Sequence, residues 1–299
     1  MKKQIVTILT LAACLTSCNN DTESTLVQKE QVPLRVMSSI KTRAVDATWE
    51  KNDAIGIYMF SAGTQTVVGP AANRLYTTAT GNGAFTATGD NIIYFPVEGS
   101  KVDFRAYSPY QKLTNNSYSV NVSNQSSLPA IDLMTAKVQD HSKLTPTVQF
   151  DFQHRLTKLE LTITAGKGIQ TSDLQNLTVC LTNQRTEGSY DPLLDAFSIP
   201  MTSGMEIITL NTATDGSSAQ AILLPNDVAE NTPIAKRQFV FTLKKTGEVF
   251  YWTLDDAKSF NRGDKNIYNI TINRTSVDVT ATIQNWNVGN GTGEPGSAE

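Results

Sequence analysis

The chain has 299 residues, 39% of them hydrophobic and 18% charged, with a formal net charge of −3. That balance excludes a disordered chain and a membrane bundle, and with no basic surplus it gives no footing for nucleic-acid binding. Two histidines and three cysteines leave little material for metal or redox chemistry.

MKKQIVTILTLAACLTSCNN opens with Lys2 and Lys3, continues as an apolar run from Ile5 to Leu15 and ends in small residues. This is the layout of a secretory signal peptide. The run is too short to span a bilayer, which takes about 20 residues. Leu15-Thr16-Ser17-Cys18 resembles the bacterial lipobox, whose cysteine is acylated and becomes the first mature residue. On that reading residues 1–17 are the signal peptide. Several acyl chains on Cys18, palmitate among them, exceed the two-signal threshold for stable anchoring. A polar tether starts at Asn19 and reaches Gln31.

From Val32 onwards the pattern is that of short strands broken by turns, with no sustained helical period. VPLRVMSSI places Val32, Leu34, Val36 and Ile40 on one face. AIGIYMF (54–60) predicts a dense, central strand. GNGAFTATGDNIIYFP predicts strands at 84–88 and 91–95 joined as a hairpin through Gly89-Asp90. VDFRAYSPY alternates Val102, Phe104 and Ala106 with Asp103, Arg105 and Tyr107, which predicts one wet face. YSVNV (118–122) closes this group. Residues 123–146 are weakly patterned apart from IDLMTA (131–136).

RLTKLELTITA then sets Leu159, Leu161 and Ile163 against Lys158, Glu160 and Thr162. Further strands are expected at 176–182, 206–210, 219–224, 238–245, 248–254, 266–274 and 277–283, with a turn at 244–248. Seven or eight strands fall on each side of a boundary near residue 146, which predicts an all-β chain of two β-sandwiches. GNGTGEPGSAE at the end predicts a loose segment.

Chemical signals are sparse. Cys180 in VCLT predicts a small buried hydrophobe on a strand. His154 precedes the cleanest strand, where a structural hydrogen bond is expected, and neither it nor His141 has a partner at zinc-ligand spacing. Asp53, Asp90, Asp103 and Asp264 sit near strand ends as turn aspartates, and no calcium-loop motif accompanies them. Trp252 and Tyr251 lie in EVFYWTL, which predicts a core strand rather than a sugar platform. No catalytic motif, metal or cofactor is expected, and the chain is not expected to be an enzyme.

Several segments together resemble one family. They are Thr42-Arg43, the pattern W-x-x-x-D-x-I-G-I-Y-M from Trp49 to Met59, IIYFP, VDFRAYSPY, DLMTA, FQHRLTKLELTI and IYNITINRTSVDVTATIQNW. The order and spacing of these segments are similar to those of the fimbrillin-like proteins, the type V pilus subunits of Bacteroides-type bacteria. The resemblance implies two tandem transthyretin-like sandwiches, covering 44–146 and 147–287, with a flexible tail at 288–299. It implies export as a lipoprotein to the outer membrane, with residues 18–43 forming a lipidated tether and a removable first strand. Proteolysis between Arg43 and Ala44 then releases that strand, and a strand from another pilus subunit fills the groove by β-strand addition.

Burying four aliphatic side chains contributes roughly 6–12 kcal/mol as an upper bound. That is comparable with the whole stability of a domain, roughly 5–15 kcal/mol, so removal without replacement leaves an unstable subunit. VDVTATI, with Val277, Val279, Ala281 and Ile283 alternating, is a candidate donor or else the last strand of the second sandwich. Stalk, tip and anchor positions all stay open, as does the adhesive target, a host or bacterial receptor or glycan. The alternative is a monomeric outer-membrane surface lipoprotein that binds glycans.

Overall fold

The computed structural model describes residues 31–41, 48–200, 204–226, 236–255, 260–285 and 292–294. The first half supplies β1 (Arg35–Ile40), β2 (Ala54–Ser61), β3 (Arg74–Thr77), β4 (Ala84–Phe85), β5 (Val102–Ser108) and β6 (Tyr118–Asn121). A short helix α1 (Leu128–Ile131), β7 (Met134–His141) and β8 (Thr147–His154) follow. Seven of the strands form one sheet in the order β3-β2-β5-β7-β8-β1-β4. Its two outer strands meet where Thr77 and Thr86 exchange backbone hydrogen bonds of 2.9 Å each. The sheet therefore curls around its core and has little free edge.

The second half supplies β9 (Thr157–Ala165), β10 (Thr178–Gln184), β11 (Glu187–Asp191), β12 (Ala196–Ser198), β13 (Glu206–Thr209) and β14 (Asn211–Thr212). It continues with β15 (Ser218–Leu223), β16 (Gln238–Thr242), β17 (Val249–Thr253), β18 (Asp264–Asn273), β19 (Ser276–Asn285) and β20 (Thr292–Glu294). A six-stranded sheet, β14-β15-β9-β18-β19-β20, and a four-stranded sheet, β13-β10-β16-β17, enclose a second core. Leu159, Leu161 and Ile163 enter it from β9, and Phe239 and Phe241 from β16. The fold is all-β, built of sandwich-like sheets around two cores.

The wall between the cores is a single layer. Along β2, Ile55, Ile57 and Met59 pack into the first core while Tyr58 and Phe60 pack into the second. This explains why AIGIYMF is apolar at nearly every position: both of its faces are buried.

Several expectations change for identifiable reasons. The segments 84–88 and 91–95 do not pair as a hairpin. Gly89–Asn91 forms a single tight turn, and the chain runs on along β1, pairing Phe85 with Val36 and Tyr94 with Pro33. The face carrying Tyr107 is not wet, because Tyr107 meets Tyr118 edge-on and belongs to the second core. Likewise β6 does not close the first group but pairs with β11 in a small sheet, β12-β11-β6. β8, by contrast, stays in the first sheet, with Phe150 and Phe152 in the first core.

Lys158 is buried rather than solvated, because Glu160 accepts from it at 2.6 Å and also pairs with Lys265. Cys180 is half-exposed rather than buried, since its neighbours Val179 and Leu181 take the inward face of β10. β17 is an outer strand, so Trp252 turns inward and stacks on Phe239 while Tyr251 is 57% exposed. Thr292–Glu294, within the segment expected to be loose, pairs with β19.

Candidate functional site

β1 is the element on which the sequence reading turns. It lies between β8, to which it is parallel over six residue pairs, and β4, to which it is antiparallel over two. Alternation puts Leu34 and Val36 inward, both buried in the first core, while Val32 and Ile40 pack against its margin and are half-buried. Two full burials and two partial ones contribute less than four full ones. The full pair contributes about 3–6 kcal/mol as an upper bound.

The backbone of β1 is engaged on both sides. Leu34 donates to the Ile93 carbonyl at 2.9 Å, Arg35 to Pro146 at 2.9 Å, Ser38 to Gly83 at 2.7 Å and Lys41 to Phe152 at 2.9 Å. Removing β1 would orphan these acceptors and open an edge on β8.

The side chains of β1 that point outward are tied as well. Ser39 Oγ donates to Asp151 Oδ1 at 2.7 Å, and Lys41 Nζ lies 3.1 Å from Asp151 Oδ2. The Ser39 hydroxyl first, and the Lys41 ammonium after it, hold the Asp151 carboxyl below the usual carboxylate range. On the other flank Tyr76 Oη accepts the Ile93 amide at 3.0 Å, and burial pushes that phenol up to about 12.

Trp49 braces the two walls of the slot. Its ring meets Phe85 of β4 edge-on at 5.0 Å and Phe152 of β8 edge-on at 5.1 Å. The Trp in the family-like pattern carries this contact, but sequence gave no hint that it joins the flanks of β1. The roles of Gly83 and Asp151 beside β1 are likewise visible only in the folded sheet. The G-N-G triplet at 81–83 was a readable signal for the first, whereas nothing marks the second.

Cys18, Arg43 and Ala44 lie outside the described residues. The candidate donor residues Val277, Val279, Ala281 and Ile283 all lie on β19, which is paired to β18 over ten positions. Val277 and Val279 are buried in the second core, and Ala281 packs against it. Donating β19 would therefore empty one sheet to complete another. His154 makes the expected structural bond, Nδ1 lying 2.8 Å from Asp132 Oδ2. Among the described residues no group of three or more His, Cys, Asp or Glu side chains is arranged to hold a metal.

The comparisons with known proteins agree with this architecture. A family model described as fimbrillin-like matches residues 42–286. A relative in Bacteroides uniformis, described as a candidate fimbrium subunit, Fim1C, is 40% identical over 313 aligned positions that cover 100% of both chains. A crystal structure of a candidate cell adhesion protein from the same species is 36% identical and superposes with a TM-score of 0.75, covering 87% of this chain and 99% of that one. A second, from Bacteroides ovatus, shares the fold at 21% identity and a TM-score of 0.68, covering 87% and 100%. With a match across most of its length and a full-length relative at this identity, the chain belongs to the fimbrillin-like family.

Proposed function

We propose that this chain is a structural, adhesive subunit of a cell-surface pilus and that β1 is a temporary occupant of its slot. The precursor is exported as a lipoprotein held in the outer membrane through Cys18. Cleavage after Arg43 leaves a chain that starts at Ala44, and β1 departs with the lipidated segment. A strand from a neighbouring subunit then replaces it, taking up the backbone partners of β1 and seating alternate apolar side chains where Leu34 and Val36 were.

The observation that carries this reading is the seat of β1 itself. It is a short strand next to the margin of a nearly closed sheet, followed within three residues of its end by Arg43, and its segment sets Leu34 and Val36 in the first core with Val32 and Ile40 against it. The cost of leaving the slot empty couples release to replacement. An open edge on β8 beside exposed apolar walls is a template for another strand.

The test is limited treatment of the purified precursor with an arginine-specific protease, followed by N-terminal sequencing and sizing. The expected product begins at Ala44 and forms ladders of oligomers, while Arg43→Ala stays intact and monomeric. A mutant lacking residues 32–40 that is folded, soluble and monomeric at high concentration would overturn the reading.

A further inference from the structure

The two faces of β1 differ in how much they specify about a strand in that place. Inward, Leu34 and Val36 share the first core with Val148, Phe150 and Phe152 of β8 and Phe85 of β4, all of them buried. Ser38, the polar member of the inward row, gives its hydroxyl to the Gly83 carbonyl at 3.2 Å, an acceptor that its own N–H already takes at 2.7 Å. Any strand with alternating apolar residues suits this side. Slipped by one residue, such a strand turns its apolar set outward. Slipped by two, about 6.6 Å, it keeps that set inward. Alternation by itself does not separate the two placements.

Outward, the walls vary from place to place. The outward residues of β8 are Thr147, Gln149, Asp151 and Gln153, and β4 sets Ala84 beside Met37. Asp151 is the one acid or base among them, and it lies opposite Ser39 in the parallel ladder. Ser39 Oγ donates to Asp151 Oδ1 at 2.7 Å, and Lys41 Nζ lies 3.1 Å from Oδ2. Gln149 Nε2 lies 3.4 Å from both Ser39 Oγ and Asp151 Oδ1. Of these three groups around the carboxylate, two belong to β1 and the residue after it. Without them Gln149 is the described partner left to Asp151.

A carboxylate only accepts hydrogen bonds. A hydroxyl or ammonium seated opposite Asp151 restores what Ser39 and Lys41 supply. A carboxylate seated there puts like charges on neighbouring strands, which is destabilising. A slip of two residues carries the matching side chain about 6.6 Å away, beyond hydrogen-bond reach. The single charge on the walls is therefore a register mark that the apolar rows lack.

Taking β1 to be exchanged as proposed above, we infer that Asp151 sets the register and chemistry of the incoming strand, selecting one with a hydroxyl or basic side chain in the place of Ser39.

The test has two arms. In the uncut full chain, Ser39→Glu is expected to speed amide exchange at Ser38 and Lys41 by about fivefold. The same change in an Asp151→Asn background is expected to have no such effect. The Asp151 side chain is 41% exposed, so its amide variant keeps the fold. An equal effect in both backgrounds overturns the inference whether or not strands exchange. In the chain nicked after Arg43 with β1 still seated, labelled peptides spanning residues 32–41 compete for the slot. The natural peptide is expected to enter about fivefold more readily than one carrying Ser39→Glu and Lys41→Glu, and Asp151→Asn to erase that preference. Equal entry of both peptides into the wild-type chain overturns selection by Asp151 and leaves strand exchange standing. If neither peptide enters, strand exchange fails and selection by Asp151 falls with it.

Discussion

Gly83 approaches Ser38 so closely that a Cβ on it would lie 2.3 Å from the Ser38 carbonyl oxygen. The same pair makes the Ser38 N–H to Gly83 carbonyl bond at 2.7 Å, and Gly83 has a φ of +87°. Glycine is therefore required twice, by the left-handed backbone and by the contact with β1. Gly83→Ala is expected to destabilise the chain by at least about 1–2 kcal/mol from the backbone term alone. Urea denaturation measures that loss. Amide exchange at Ser38 should quicken more than exchange in β9, and equal change at both sites would show that Gly83 does not act through β1.

Asp151 gives β1 a pH dependence. Its carboxyl is depressed below the ordinary 3.8 chiefly by the Ser39 hydroxyl on β1 and then by Lys41 just after it. The stabilisation is fully present above the unfolded value and is lost as pH falls through the lower folded value. Half-exposed pairs of this kind contribute at most about 1 kcal/mol. The wild-type chain should therefore lose a small increment of stability below about pH 4 that Asp151→Asn does not lose. Parallel denaturation curves for the two chains across acid pH would show that Asp151 holds nothing.

How far this architecture was readable from sequence depends on what each strand faces. Leu34, Val36 and Ile163 are legible because the chain around each has a buried side and a wetter one, and a period of two reports that directly. Tyr107 is misread because its outward-looking face packs into the second core, and Lys158 because Glu160 gives its ammonium a partner out of water; alternation reports neither a partner surface nor a paired charge. β7 is hard to read because its second half is charged, Lys137 and Asp140 pairing with Asp195 and Lys101, and β11 because it has one buried residue, Tyr190, among five. Gly89-Asp90 had the composition of a hairpin turn, yet β1 offered a better backbone partner to both of its arms. In the slot itself the strand was legible and its walls were not. Trp49, Gly83 and Asp151 come from distant segments that only the folded sheet brings together.

Trp49 lies after Arg43 in sequence, so in the proposed exchange it would stay with the body of the chain. Its ring is wedged against Phe85 and Phe152, which flank the slot on either side. Truncating a buried Trp costs about 3–5 kcal/mol. Trp49→Ala is expected to reduce stability by that order and to slow capture of an added strand peptide by the cleaved protein, because the walls are no longer held apart. Stopped-flow fluorescence with a labelled peptide measures capture. An unchanged capture rate in a variant that remains folded would remove Trp49 from the slot's support.

Beside the shared β2 wall, the Asp195 carboxylate ties the two cores together. Asp195, at the turn between β11 and β12, accepts from Arg155 at 3.0 Å and from the Tyr190 hydroxyl at 2.8 Å, and it pairs with Lys137 of β7. Beside it Arg105 of β5 donates to the carbonyls of Pro192 and Leu193 while lying 4.8 Å over the Phe60 ring. A turn from the second half is thus gripped by cations from the first sheet. Burial, reinforced by the Asp195 charge, pushes the Tyr190 phenol far up, so it remains a donor to the carboxylate throughout the physiological range. Removing one partner of a mostly buried ion pair costs about 3–5 kcal/mol because the remaining charges are stranded. Asp195→Ala should therefore lower stability by that order and split a single unfolding transition into two, the cores melting separately. Differential scanning calorimetry reads both effects, and a single transition at an unchanged temperature would show that the aromatic wall formed by Tyr58, Phe60 and Tyr107 joins the cores without the clamp.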